Sequence, residues 1–220
     1  MTPVIDIRDT RSTQIARADD HRVDNRGRVV VRPPADIDTV CLHQTACVFG
    51  PMAHPEARYL RAADVASHAV AFRTGVGVLQ TPIRWYVNGG GGFNRHALHL
   101  EAEGHYCGQP DDPTTAPRRE DRESCWGHEP TPLDELALAT SRETLRALVE
   151  AARAEGCPVQ YVVAHRQSSP SRRSDPGYEL WRDVVLGYAV PVLGLRTRPA
   201  LVVGQGRPIP ACWGEGTAAY

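Results

Sequence analysis

Apolar residues in this chain come in short runs, and two of those runs end on histidine. Residues 38–43 (DTVCLH) and 160–164 (QYVVA, followed by His165) are short, apolar and bounded by polar residues, which predicts buried strands. Residues 97–103 (ALHLEAE) alternate with a period of two, placing Leu98 and Leu100 on one face and His99 and Glu101 on the other. Two further strand-like runs, 69–72 and 76–79, flank a Thr74-Gly75 turn. Helical spacing marks residues 55–66, through Ala57, Leu60, Ala63 and Val65. A longer helix is predicted over 131–155, with Thr131 as cap, Pro132 at the first position and Gly156 as stop. Pro176 opens another helix that buries Leu180, Trp181, Val184 and Val185. Residues 108–130 are polar, rich in proline and without period, so they read as a surface loop, and Leu201-Val202-Val203 is a candidate extra strand.

This order predicts a single α/β domain: a central mixed β-sheet flanked by helices, with the active-site groove at one edge. Residues 1–30 read as an N-terminal arm or hairpin, 31–190 as the main domain and 191–220 as a C-terminal extension. At 220 residues the chain can bury roughly 70% of its unfolded surface, enough for a core without staples.

Composition narrows the chemistry. All 25 basic residues are arginine, so Schiff-base catalysis and the phosphate-loop and kinase lysines are excluded. A net charge of −1 provides no electrostatic footprint for nucleic acid. No apolar run reaches the ~20 residues that span a bilayer, and the first residues lack the pattern of a signal peptide. The expectation is a chain synthesised in the cytoplasm, which would need release by lysis, a pore or an injection system to act outside the cell. Six cysteines in this length do not read as a disulfide scaffold.

Strand ends on one side of a sheet can converge, so His43, His165 and Asp175, ten residues after His165, can supply two imidazoles and a carboxylate. Three protein ligands with an open fourth position form the pattern of a catalytic zinc site. A lone strand-end histidine is more often a structural residue, and Asp before Pro is more often a helix cap. A second donor set, His105, Cys107, Cys125 and His128, has ligand-like spacing for a structural zinc, beside the plainer reading of unrelated thiols.

Residues 163–177 (VAHRQSSPSRRSDPG) resemble the G-H-x-x-x-x-P-G-R-K-x-D-P-G segment of type-2 zinc amidases, the N-acetylmuramoyl-L-alanine amidases that share a fold with peptidoglycan recognition proteins and phage lysins. Residues 40–46 (VCLHQTA) are similar to that family's h-h-h-H-x-T strand, 67–70 (SHAV) to its S-x-H-h-h start and 94–104 (NRHALHLEAEG) to its N-x-x-S-I-G-I-E-h-x-G segment. The four stand in the family's order across residues 38–188. The resemblance implies Zn2+ held by His43, His165 and Asp175, and Glu101 as general base for a metal-activated water. It implies a peptidoglycan or muropeptide substrate, cut at the amide between N-acetylmuramic acid and L-alanine. It puts the oxyanion-stabilising cation at Arg173 and a further arginine, structural or substrate-binding, at Arg172. His68 and Asn94 carry over as groove residues or as supports of the fold.

Four departures from the family pattern surround the expected groove. Arg173 stands where relatives carry Lys, Ser171 replaces a Gly, and His99 replaces a small Gly beside Glu101. The Trp85-Tyr86-Val87-Asn88-Gly89 segment lacks the family's His and runs into Gly90, Gly91 and Gly92. The alternative function is a peptidoglycan-binding module that does not cut; a third is an interaction protein using the groove for a protein partner.

Overall fold

In the computed structural model, which describes residues 2–9, 26–49, 65–106 and 131–214, strand alternation separates an apolar face from a polar one. The strands are β1 (Val4–Asp6), β2 (Thr39–Gln44), β3 (Ala69–Phe72), β4 (Val76–Leu79), β5 (Ala97–Ala102), β6 (Tyr161–Ala164) and β7 (Arg196–Thr197). They form one mixed sheet in the order β1-β4-β3-β5-β2-β6-β7, parallel at every pairing except β3 with β4. Helix α1 (Glu135–Ala154) lies between β5 and β6 in the chain, and α2 begins at Tyr178–Leu180 after β6.

Successive side chains of a strand point to opposite faces. Val40 and Leu42 of β2, Leu98 and Leu100 of β5, and Val162 and Ala164 of β6 join one core with Leu145, Leu148 and Val149 of α1 and with Trp181, Val184 and Val185. Both described helices therefore cover this face. Cys41, Ala97 and Val163 point the other way, where Phe93 and the tail residues Leu201 and Val203 cover them. Burial on both faces is what a central parallel strand requires, and β2 and β5 are buried along their whole length.

Helix α1 starts later than its sequence predicts. Asp134, not Thr131, is the cap, because its carboxylate accepts the Ala137 N–H at 2.8 Å. The same carboxylate pairs with Arg73 at 2.6 Å, which ties the helix start to the β3–β4 turn. The helix ends as expected: Gly156 follows it with φ of 81°, a conformation that favours glycine. In α2 the four expected residues are buried, but the helix begins at Tyr178 and widens into π-helical turns over Trp181–Ala189.

The terminal segments are woven into the sheet. Val4–Asp6 of the expected arm pairs in parallel with β4 as an edge strand. In the tail, β7 extends the sheet beside β6, whereas Leu201–Val203, expected as a strand, forms none. The Val203 N–H donates to the Gln167 carbonyl at 2.8 Å, and Gln167 Nε2 donates to the Leu201 carbonyl at 2.8 Å. Residues 108–130 and most of the helix expected over 55–66 lie outside the described residues, as do Cys107, Cys125 and His128. No helix among the described residues is long and apolar enough to cross a membrane.

Leu148 has no solvent exposure and packs in the core between α1 and the sheet. Leu148→Ala is expected to destabilise the protein by about 2–5 kcal/mol, read as a lower urea midpoint at unchanged m-value.

Candidate metal centre and pocket

The polar face becomes a site at the carboxyl ends of β5, β2 and β6. His43 is the fifth residue of β2, and its backbone partner on β5 is Glu101. His165 follows β6 directly, at the start of a 3₁₀ turn, His165–Gln167. That turn is held from inside: Gln167 Oε1 accepts the Ala164 N–H at 2.9 Å, and Gln167 Nε2 donates to the Arg198 carbonyl at 2.7 Å. Arg166 is almost fully buried, with its guanidinium 4.9 Å from the centre of the Trp213 ring and its Nη1 donating to the Arg173 carbonyl.

Asp175 reaches the same point from the loop before α2. Its Oδ1 accepts the Gln44 N–H at 3.1 Å, and its Oδ2 lies 2.9 Å from His165 Nδ1. The loop is positioned by Gln44, whose Nε2 donates to the Ser174 carbonyl at 3.1 Å and to the Tyr106 carbonyl at 2.6 Å. His43 Nδ1 is 2.9 Å from His165 Nδ1. Two imidazole nitrogens and one carboxylate oxygen thus lie within 4.8 Å of one another. This donor set fits zinc, which takes neutral imidazole and carboxylate in tetrahedral sites.

Burial supports that fit. It holds the His43 imidazole well below the ordinary histidine range, with His165, His99 and Arg172 adding to the effect, so the ring is neutral as a ligand must be. Glu101 Oε1 stands 3.8 Å from His43 Nδ1. Glu101 Oε2 is buried and has no hydrogen-bond partner among the described residues. Burial, and then the charge of Asp175, push the Glu101 carboxyl well above the usual carboxylate range, while Arg172 pulls it back. A buried oxygen without a partner, beside a metal-type donor set, has the character of a group reserved for proton transfer.

The pocket above these groups is open to solvent and is walled by Gln44, Thr45, Asn88, Glu101, His165 and Arg172. Of the residues expected at the site, His43, His165, Asp175 and Glu101 come together, and Arg172 joins them on the wall. Arg173 is not among the residues lining this pocket. His68 has no solvent exposure and lies alongside β5, where its Nδ1 accepts the His99 N–H at 3.0 Å. Asn94 is also buried, and its Oδ1 accepts the Gly90 N–H at 2.6 Å. Both accept backbone N–H groups, and neither lines the pocket.

Three contributors escaped sequence reasoning. Gln44 and Thr45 follow His43 directly, and their polarity at a buried strand end was the available signal. The contact of His99 with His43, 3.0 Å between Nδ1 and Nε2, depends on inter-strand register. Of the second donor set expected from spacing, only His105 is described, and it is buried.

No protein-family model matches the chain, and no curated protein matches it. Solved structures with a similar fold include the Ph2119 endolysin from the Thermus scotoductus MAT2119 bacteriophage Ph2119, 17% identical, covering 79% of this chain and 91% of that one with a TM-score of 0.45. Another is the N-acetylmuramoyl-L-alanine amidase LysCS from Clostridium intestinale, 12% identical, covering 89% and 98% with a TM-score of 0.44. A third is peptidoglycan recognition protein LE in complex with tracheal cytotoxin, 14% identical, covering 84% and 93% with a TM-score of 0.49.

Asp175→Ala removes a donor while leaving both histidines. It is expected to weaken zinc binding by at least about 100-fold, measured by competition with a chromophoric chelator. Retained zinc affinity in a folded Asp175→Ala protein would show that the carboxylate is not a ligand.

Proposed function

We propose that the protein is a zinc-dependent amidase that hydrolyses the bond between N-acetylmuramic acid and L-alanine in peptidoglycan or muropeptides. The observation that carries this reading is the convergence of His43, His165 and Asp175 at an open pocket lined by His165, Asp175 and Glu101, a carboxylate whose Oε2 is buried and has no hydrogen-bond partner among the described residues. The four motif resemblances supply the substrate class.

In this reading His43 and His165 would hold zinc through Nδ1 and Asp175 through a carboxylate oxygen. The chemistry such an ion supplies is a lowered pKa for water and polarisation of an amide carbonyl. Glu101 takes the proton of the attacking water at Oε2 and returns it to the alanine nitrogen as the C–N bond breaks. That oxygen is buried and has no hydrogen-bond partner among the described residues, and the other oxygen of the same carboxylate, Oε1, stands 3.8 Å from His43 Nδ1. The Asp175 carboxylate stays fixed through the step because the Gln44 N–H holds its other oxygen.

Negative charge developing on the carbonyl oxygen calls for a fixed cation. The motif alignment assigns that role to Arg173 and substrate contact to Arg172. The position of Arg172 on the pocket wall, and its influence on both His43 and Glu101, favour Arg172 for the charge itself.

Two experiments test the reading with defined muropeptides and mass spectrometry of the products. Glu101→Gln is expected to lower kcat by roughly 10²–10⁴ while zinc remains bound; a fully active variant sinks the base assignment. Arg172→Ala is expected to lower kcat/KM by about 10²–10³. A larger loss in Arg173→Ala than in Arg172→Ala would return the charge to Arg173. If the zinc-loaded wild type binds muropeptides but releases no peptide, the protein is a recognition module.

A further inference from the structure

The buried imidazole of His99 stands directly beneath the candidate metal centre. It belongs to β5, its backbone partner on β2 is Cys41, and its Nδ1 lies 3.0 Å from His43 Nε2. The direction of that hydrogen bond follows from the other end of the His43 ring. His165 Nδ1 lies 2.9 Å from Asp175 Oδ2 and 2.9 Å from His43 Nδ1. In the metal-centre reading His43 Nδ1 is the atom turned to His165 and Asp175. A neutral imidazole with a bare Nδ1 carries its hydrogen on Nε2, and that Nε2–H faces His99 Nδ1, which accepts it.

His99 is held for this task from two sides. Its own N–H is taken by His68 Nδ1, and the two rings stack with centroids 5.7 Å apart and planes 26° apart. Opposite lies the glycine run. A Cβ on Gly90 would come within 2.5 Å of His99 Cε1, and one on Gly89 within 2.9 Å of His99 Cγ. The seat for this ring exists only because those residues have no side chains. Two sequence oddities, a large histidine on the strand and a glycine run in the loop facing it, are one feature.

We propose that His99 is a positioning residue for the metal centre: its Nδ1 accepts the Nε2 proton of His43 and so presents the bare His43 Nδ1 to the site shared with His165 and Asp175. This inference rests on the metal-centre reading above. The rival use of the same atoms is a second ion between Cys41, His43 and His99, whose ligand atoms lie within 4.8 Å of one another. That ion and the hydrogen bond exclude each other, because the ion needs a bare His43 Nε2 and the hydrogen bond needs a proton there.

The test compares the full-length wild type with His99→Leu, which keeps bulk without an acceptor, and His99→Asn, whose Oδ1 stands in for Nδ1. Nitrogen-15 shifts of the His43 ring in metal-free wild type are expected to show the proton on Nε2. His99→Leu is expected to bind zinc about 10- to 100-fold more weakly and to shift the d–d absorption of the cobalt-loaded protein. His99→Asn is expected to recover most of that affinity and the wild-type cobalt spectrum. Gly90→Ala displaces the His99 ring, so it is expected to weaken zinc binding in the wild type and to add little in His99→Leu.

A proton on Nδ1 of His43 in the metal-free wild type overturns the proposal, as does a His99→Leu protein with unchanged zinc affinity and cobalt spectrum. Two ions per chain, with the Cys41 thiol lost to titration, overturn it in favour of the second site. A wild type that binds no zinc removes the metal centre itself and this role with it. That result is distinct from unchanged affinity in His99→Leu, which removes only the role of His99.

Discussion

The register between β2 and β5 is the constraint on which the site depends. His43 lies opposite Glu101 and Cys41 opposite His99, with Leu42 and Leu100 paired between them on the other face. Side-chain direction alternates strictly along a strand, so a slip of one residue in either strand would exchange that strand's two sets. The slipped strand would turn its imidazole or its carboxylate to the helices and its leucine to the pocket. The leucine pair, locked into the core with α1, therefore fixes the chemistry on the reverse side. Packing on one face of the sheet is what places the metal-type donors on the other.

That arrangement concentrates polar groups where water cannot reach them. His43, His68, His99 and Asp175 are all buried, and Arg32 lies among them. Arg32 is stabilised by backbone: its Nη1 donates to the Asn94 and Ala97 carbonyls at 3.0 and 2.6 Å, and its Nη2 to the Ile83 carbonyl at 2.9 Å. Burial nevertheless pulls its guanidinium down to about 10. The flat fork of arginine suits several carbonyls at fixed angles better than a single ammonium would. It ties the start of β5 to the segment before the glycine run, and so holds the neighbourhood in which His99 is seated. The buried imidazoles avoid a larger desolvation penalty by being neutral.

Much of this was legible in the chain because it is local. The two strands ending on histidine, the alternation of residues 97–103 and the buried stripe at Leu180, Trp181, Val184 and Val185 are patterns within a few residues, and the structure contains all three. The start of α1 was misplaced because Thr131-Pro132 offers a plausible cap, and only the structure shows Asp134 taking the Ala137 N–H. Leu201–Val203 has the composition of a strand, but its apolar residues are used against Cys41 and Phe93, and its backbone pairs with a turn. Which of two adjacent arginines meets the pocket depends on how the loop before Asp175 is folded, which no motif spacing encodes. The partnership of His99 with His43 joins residues 56 positions apart and needs the sheet to exist first.

The tail has a consequence for the order in which the site is completed during synthesis. The turn carrying His165 is tied down by the backbone of residues 198–208: Gln167 bonds Arg198 and Leu201, the Arg207 N–H donates to the Arg166 carbonyl at 2.7 Å, and Arg166 Nε donates to the Pro208 carbonyl at 3.0 Å. A ribosome releases the chain from its amino end, so β2 and β5 emerge long before these partners do. While still attached, the nascent chain carries His43 and Glu101 without the contacts that settle their third-strand neighbour. The pocket is finished last, by residues that line none of it.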